Sequence, residues 1–145
     1  QAGADLTRGD ILAELPFGNV TVVTEIPGSQ VLAALENGFS QVETGGGRFP
    51  QVSGMEVVYD PTAPAGSRVA SVMVGGAELD PDTVYKVATN DYMLSGGDGY
   101  GALGGGKILV NAGNGYLLAN DVKAYIEAKG TVSPEIEGRI RKVGE

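Results

Sequence analysis

Apolar positions along the chain switch between two spacings, and the switches divide it into short helices and strands. Thr7, followed by Asp10, has the form of a helix N-cap with an acidic residue at the third helical position, and Ile11, Leu12 and Leu15 then give one apolar face. Pro16 ends that helix, because the residue before a proline is pushed out of helical backbone angles. Asn19 to Ile26 is rich in β-branched residues and predicts a strand. Pro27 and Gly28 then turn the chain into a second helix, in which Val31, Leu32, Leu35 and Phe39 fall at helical spacing and Gly38 stands near the C-terminal end.

Gln41 to Gly47 is polar and glycine-rich and predicts a loop, whereas Phe49 to Asp60 and Arg68 to Val74 predict strands joined by a turn at Pro61 to Ser67. Gly75-Gly76 is a two-residue hairpin signal, and Thr83 to Thr89 alternates as a further strand. Asn90 to Gly106 reads as one long glycine-dense loop of a kind that tends to be functional or mobile. Lys107 to Val110 is strand-like. Leu117 to Lys129 carries Leu118, Val122, Tyr125 and Ile126 on one helical face before Gly130, and Gly138 to Val143 suits a last short strand. Helices and strands mix without a regular β-α-β repeat, so the expected fold is a single α+β domain, a mixed sheet with flanking helices.

Composition narrows the chemistry. At 145 residues and 42% apolar content the chain can bury one real core. Its net charge of -8 repels nucleic-acid backbones and anionic membrane surfaces. It has neither cysteine nor histidine. That excludes disulfides, a zinc or di-iron site, and Ser-His or Cys-His catalysis within this chain. No stretch approaches the ~20 apolar residues that cross a bilayer. Gln1 to Asp10 has no signal-peptide order, and the abrupt start reads as a fragment whose parent's location is left open.

Several motifs fail on inspection. Gly99-Tyr100-Gly101 with Gly104 spells a dinucleotide fingerprint but leads into a strand-like segment, and the P-loop imitation from Gly101 to Lys107 has Ile108 where a magnesium-binding hydroxyl is needed. The triplet Asn19-Val20-Thr21 matches a glycosylation site only by letters, since it sits in a strand. Asp80 and Asp82 flank Pro81 as turn formers.

Three segments carry a resemblance over nearly the whole chain: Leu15 to Asn19 (LPFGN), Gly47 to Gly54 (GRFPQVSG) and Thr89 to Tyr100 (TNDYMLSGGDGY). In order and spacing they resemble the C-terminal domain of the 5'-nucleotidase family, which also covers UDP-sugar hydrolases and 2',3'-cyclic nucleotide phosphodiesterases. The resemblance implies that Phe17 and Tyr92 clamp a nucleobase between two π-faces, an arrangement worth about 1–3 kcal/mol per base. Tyr92 stands where Phe is commoner. It implies that Asp98 accepts hydrogen bonds from the ribose hydroxyls, that Gly97 lets the backbone approach the ligand, and that Asn90 helps position the loop. Arg48 is by default a surface charge, and Gly47 to Gly54 supports the pocket.

The departures from the family pattern also matter. An Asn-Gly-Gly-Gly-Ile-Arg-type segment normally precedes the position of Ala2 to Asp5, and Gln1 cannot replace the bidentate bonds of its arginine. The resemblance implies a parent phosphoesterase that is periplasmic or extracellular, with two divalent metal ions in an N-terminal metallophosphoesterase domain and no cofactor in this chain. The implied partners are that domain and a nucleotide or nucleoside. By itself the chain is expected to be inactive. The other expectations are a stand-alone binding module, or a parent that acts on a sugar nucleotide, a cyclic nucleotide or a sulfur compound.

Overall fold

The computed structural model describes residues 3–145. Gln1 and Ala2, set above against the missing arginine segment, lie outside the described residues. The fold is α+β. Helix α1 spans Arg8–Glu14 and begins at the expected cap: Thr7 accepts from the Asp10 amide at 3.3 Å, and the Asp10 carboxylate accepts from the Thr7 amide at 2.7 Å. Strand β1 (Thr21–Pro27) follows, then helix α2 (Gly28–Phe39). Strands β2 (Met55–Tyr59), β3 (Val69–Val74), β4 (Ala77–Glu78) and β5 (Val84–Asn90) come next. The chain closes with α3 (Asp91–Leu94), β6 (Lys107–Val110), α4 (Leu118–Lys129) and β7 (Ile140–Lys142).

The strands form two sheets. One has the order β5-β1-β6 with antiparallel neighbours, and the other has the order β4-β3-β2-β7, in which β7 runs parallel to β2. In β1 the period-two burial buries Val22, Thr24 and Ile26 in turn. Helix α2 supplies Val31, Ala34, Leu35 and Phe39 to a core completed by Ile26 from the first sheet, Val57, Tyr59 and Val72 from the second, and Tyr100 and Leu103. Phe39 stacks on Tyr59 with ring centres 4.5 Å apart, and Phe49 meets both rings edge-on.

Buried Arg68 ties the start of β3 to the end of α2. Its guanidinium donates to the Phe39 carbonyl at 2.6 Å and the Ala63 carbonyl at 2.9 Å and pairs with the Glu43 carboxylate. The Glu36 carboxylate accepts from the amides of Arg68 and Val69, each at 2.9 Å. The guanidinium thus keeps its donors satisfied although only 4% of the residue is exposed.

Several expectations need correction. The strand expected over Phe49 to Asp60 is confined to Met55–Tyr59, because Pro50 has no amide to give a ladder and Gly54 takes a φ of +76° that breaks extension. Leu32 lies on the outer side of α2, with Ala34 taking the inward place. The loop expected over Asn90 to Gly106 is largely ordered into α3 and two 3-10 turns, Gly97–Gly99 and Gly101–Gly104. In α4 the buried residue is Ala119, while Tyr125 is exposed beneath the Lys129 ammonium, 5.7 Å from its ring centre. The hairpin at Gly75-Gly76 forms as read, with φ of +59° and +84°, angles that suit glycine at both central positions.

Candidate functional site

The register between β1 and β5 sets Thr21 opposite Asn90, so the segment entering β1 and the segment leaving β5 meet at one end of the first sheet. Phe17 lies in the first of these segments and Tyr92 in the second. Between them stands Asp91, whose Oδ1 accepts from Asn19 Nδ2 at 3.1 Å and from the Val20 amide at 3.0 Å, while its own amide donates to the Val20 carbonyl at 3.0 Å. These bonds hold the Asp91 carboxyl below the usual carboxylate range, the Val20 amide contributing most and the Asn19 amide next. Residues about seventy positions apart are therefore pinned side by side.

Both candidate rings face solvent: Phe17 is 86% exposed and Tyr92 51%. Phe17 occupies the turn between α1 and β1, just before Gly18 at a φ of +66°. Tyr92 lies in the single turn of α3, which Asn90 caps by accepting the Met93 amide at 2.8 Å. The side-chain oxygen of Asn90 is thus engaged in starting the helix that carries Tyr92.

After α3 the chain folds back over itself. Gly97 gives room for this, since a Cβ there would lie 2.4 Å from the Tyr92 ring. The Tyr92 hydroxyl donates to Asp98 Oδ1 at 3.0 Å. Asp98 has a φ of +52° and is the single non-glycine residue at positive φ among the described residues. An L-residue there is costly, and such outliers cluster at functional sites. The exposed Asp98 carboxylate retains acceptor capacity on its remaining lone pairs.

Two further residues, neither of them expected to take part, stand beside Asp98. Asn37, in the last turn of α2, donates through Nδ2 to the Asp98 carbonyl at 3.0 Å. Arg48, expected as a surface charge, is half-buried and donates to Asn37 Oδ1 at 3.3 Å. The buried Tyr100 hydroxyl donates to the Arg48 carbonyl at 2.5 Å. Burial pushes the Tyr100 phenol above its ordinary range, and the nearby Asp98 carboxylate adds to this while Arg48 opposes it. Nothing in the letters of Leu35 to Gly38 marks Asn37, because one polar residue in an amphipathic helix reads as a solvated position.

Among the described residues no group of three or more His, Cys, Asp or Glu side chains could hold a metal ion, and no helix is long and apolar enough to cross a membrane. The turn at Asp80 is structural. Its carboxylate accepts from the Asp82 amide at 2.9 Å and the Thr83 hydroxyl at 2.9 Å. One surface hollow, lined by Val42, Phe49, Tyr59 and Lys142 among others, lies apart from Phe17, Tyr92 and Asp98. The candidate rings stand on an open surface.

Comparison with known proteins identifies the family. The model of a family described as 5'-nucleotidase, C-terminal domain, matches residues 1–105. The trifunctional nucleotide phosphoesterase protein YfkN of Bacillus subtilis is 37% identical over 96% of this chain, which spans 10% of that protein. The solved 5'-nucleotidase precursor of Thermus thermophilus superposes with a TM-score of 0.88 at 38% identity, over 97% of this chain and 28% of its own. The NAD nucleotidase of Haemophilus influenzae does so with a TM-score of 0.81 at 25% identity, over 94% of this chain and 26% of its own.

Proposed function

The chain belongs to the 5'-nucleotidase C-terminal domain family, and from that premise we propose that residues 1–145 are the base- and ribose-recognising domain of a phosphoesterase that releases phosphate from nucleotides. The observation that carries this reading is the contact between the Tyr92 hydroxyl and Asp98 Oδ1 at 3.0 Å, beside a segment that brings exposed Phe17 to the same end of the sheet. A stacking face and a diol acceptor stand together there. The relatives named above act, by their names, on nucleotides, and base with ribose is what such ligands share.

In this reading the base lies between the rings of Phe17 and Tyr92, and stacking removes both of its faces from water while its edges stay free. The vicinal hydroxyls of the ribose donate to Asp98. Gly97 lets the Tyr92 ring lie close over the turn, and Asn90 fixes the helix that carries the ring. Binding the part of the substrate remote from the reacting bond positions the phosphate for a second, metallophosphoesterase domain of the parent chain. Among the described residues no cluster of His, Cys, Asp or Glu fits the two divalent metals of such an enzyme, and in this reading the chain's share of the reaction is to bind and orient. The open placement of Phe17 and Tyr92 suits a pocket that is completed when the other domain closes over it. A periplasmic or extracellular parent goes with this reading.

The test is direct titration of the chain with adenosine, adenine and ribose, followed by tyrosine fluorescence. Adenosine is expected to bind weakly but more tightly than either part, and no phosphate should be released from AMP with divalent metals added. Equal indifference to all three ligands, or steady phosphate release by contaminant-free chain, would defeat the proposal.

A further inference from the structure

The turn that presents Asp98 is held from behind by groups that touch no ligand in the reading above. Asn37 spans two loops at the end of α2, donating to the Asp98 carbonyl at 3.0 Å and accepting from Arg48 at 3.3 Å. A guanidinium can only donate, so Oδ1 of Asn37 must face Arg48, and Nδ2 is thereby aimed at Asp98. The Tyr100 hydroxyl closes the third side by donating to the Arg48 carbonyl at 2.5 Å. Gly99 lets these parts approach, since a Cβ there would lie 2.5 Å from Asn37 Oδ1, and its φ is +83°. The neighbouring Gly38 serves in the same way: its Cβ would lie 2.6 Å from the Tyr100 hydroxyl and 2.8 Å from Pro50.

A left-handed residue persists only when its surroundings over-determine it. The Asn37 bond falls on the backbone of the residue that needs it, Asp98 at a φ of +52°. We propose that Asn37, oriented by Arg48, is the positioning residue for Asp98 and sets how strongly the protein prefers a riboside over the free base. This rests on the recognition reading of Tyr92 and Asp98. Asn37 acts through the Asp98 backbone, and Arg48 acts through Asn37.

The test compares adenosine with adenine as ligands of the 145-residue chain, wild type and as D98N, N37D and R48A, with backbone amide spectra of Gly97 to Gly99 recorded for each. N37D keeps the size of the side chain and an acceptor for Arg48, but sets an acceptor against the Asp98 carbonyl. D98N and N37D should each lower the ratio of adenosine to adenine affinity by about three- to tenfold, the loss of one hydrogen bond. R48A, one step removed, should lower it by about twofold and shift the same amide signals as N37D. If D98N abolishes the preference and N37D keeps it, the positioning role is overturned and the recognition reading stands. If wild type shows no preference, or D98N retains it, the recognition reading fails and the positioning role falls with it. Should N37D not fold, R48A decides: an unchanged ratio with unchanged amide signals overturns the proposal.

Discussion

Phe17 and Arg68 are opposite cases at the scale of a single residue. Phe17 is 86% exposed, so its removal costs the fold little, whereas its ring has a face to offer a ligand. F17A is therefore expected to leave unfolding free energy within about 0.5 kcal/mol of wild type. F17A and Y92A should each weaken adenosine binding by about 1–3 kcal/mol, the value of one stacked face. Calorimetric titration beside urea unfolding checks both halves, and undiminished affinity in both variants would remove the clamp. Arg68 is 4% exposed and satisfies the Phe39 and Ala63 carbonyls. R68M leaves those acceptors unpaired, and we expect a loss of about 2–4 kcal/mol in urea unfolding. Burial of this kind was not legible in the sequence, where Arg68 merely opens a strand. It depends on carbonyls contributed by segments 5 and 29 residues away.

Among the elements, α2 shows how local preference and packing compete. Its apolar spacing and its start after Pro27 were legible, because helix periodicity is a local property. Gly38 stands next to the last residue of α2, near the C-terminal end as expected, and is pressed against Tyr100 and Pro50. Alanine there gains about 1 kcal/mol in helix propensity. Its Cβ would meet Pro50 Cδ at 2.8 Å and the Tyr100 hydroxyl at 2.6 Å, and overpacking of that kind costs about 1–3 kcal/mol. The net expectation for G38A is destabilisation, read as a lower midpoint in thermal unfolding. A raised midpoint would mean that the Gly47–Gly54 loop yields at no cost. By contrast, the cap of α1 was legible, since the Thr7 and Asp10 side chains bond to each other within one helical turn.

For the whole molecule, five carboxyl groups are held below their ordinary range: Asp10, Glu43, Asp60, Asp80 and Asp91. The leading causes are hydrogen bonds from Thr7, Arg68, Thr62, the Asp82 amide and the Val20 amide, in that order of residues. A depressed folded pKa contributes stability that is present above the unfolded value and is lost as pH falls through the folded one. Thermal midpoints should therefore hold from neutrality down to about pH 5 and decline below about pH 4. A midpoint at pH 3 equal to that at pH 6 would contradict this. The sequence by itself determined the helix and strand types, the tight hairpin and the absence of imidazole and thiol chemistry, because each depends on residues that are near neighbours or simply counted. Only the tertiary structure decided that Asn37 and Arg48 stand behind Asp98, and that Phe17 and Tyr92 issue from the same end of one sheet. Those relations arise from strand register and from the landing of two loops on one helix end, and contacts across 61 and 71 residues leave no periodic mark along the chain.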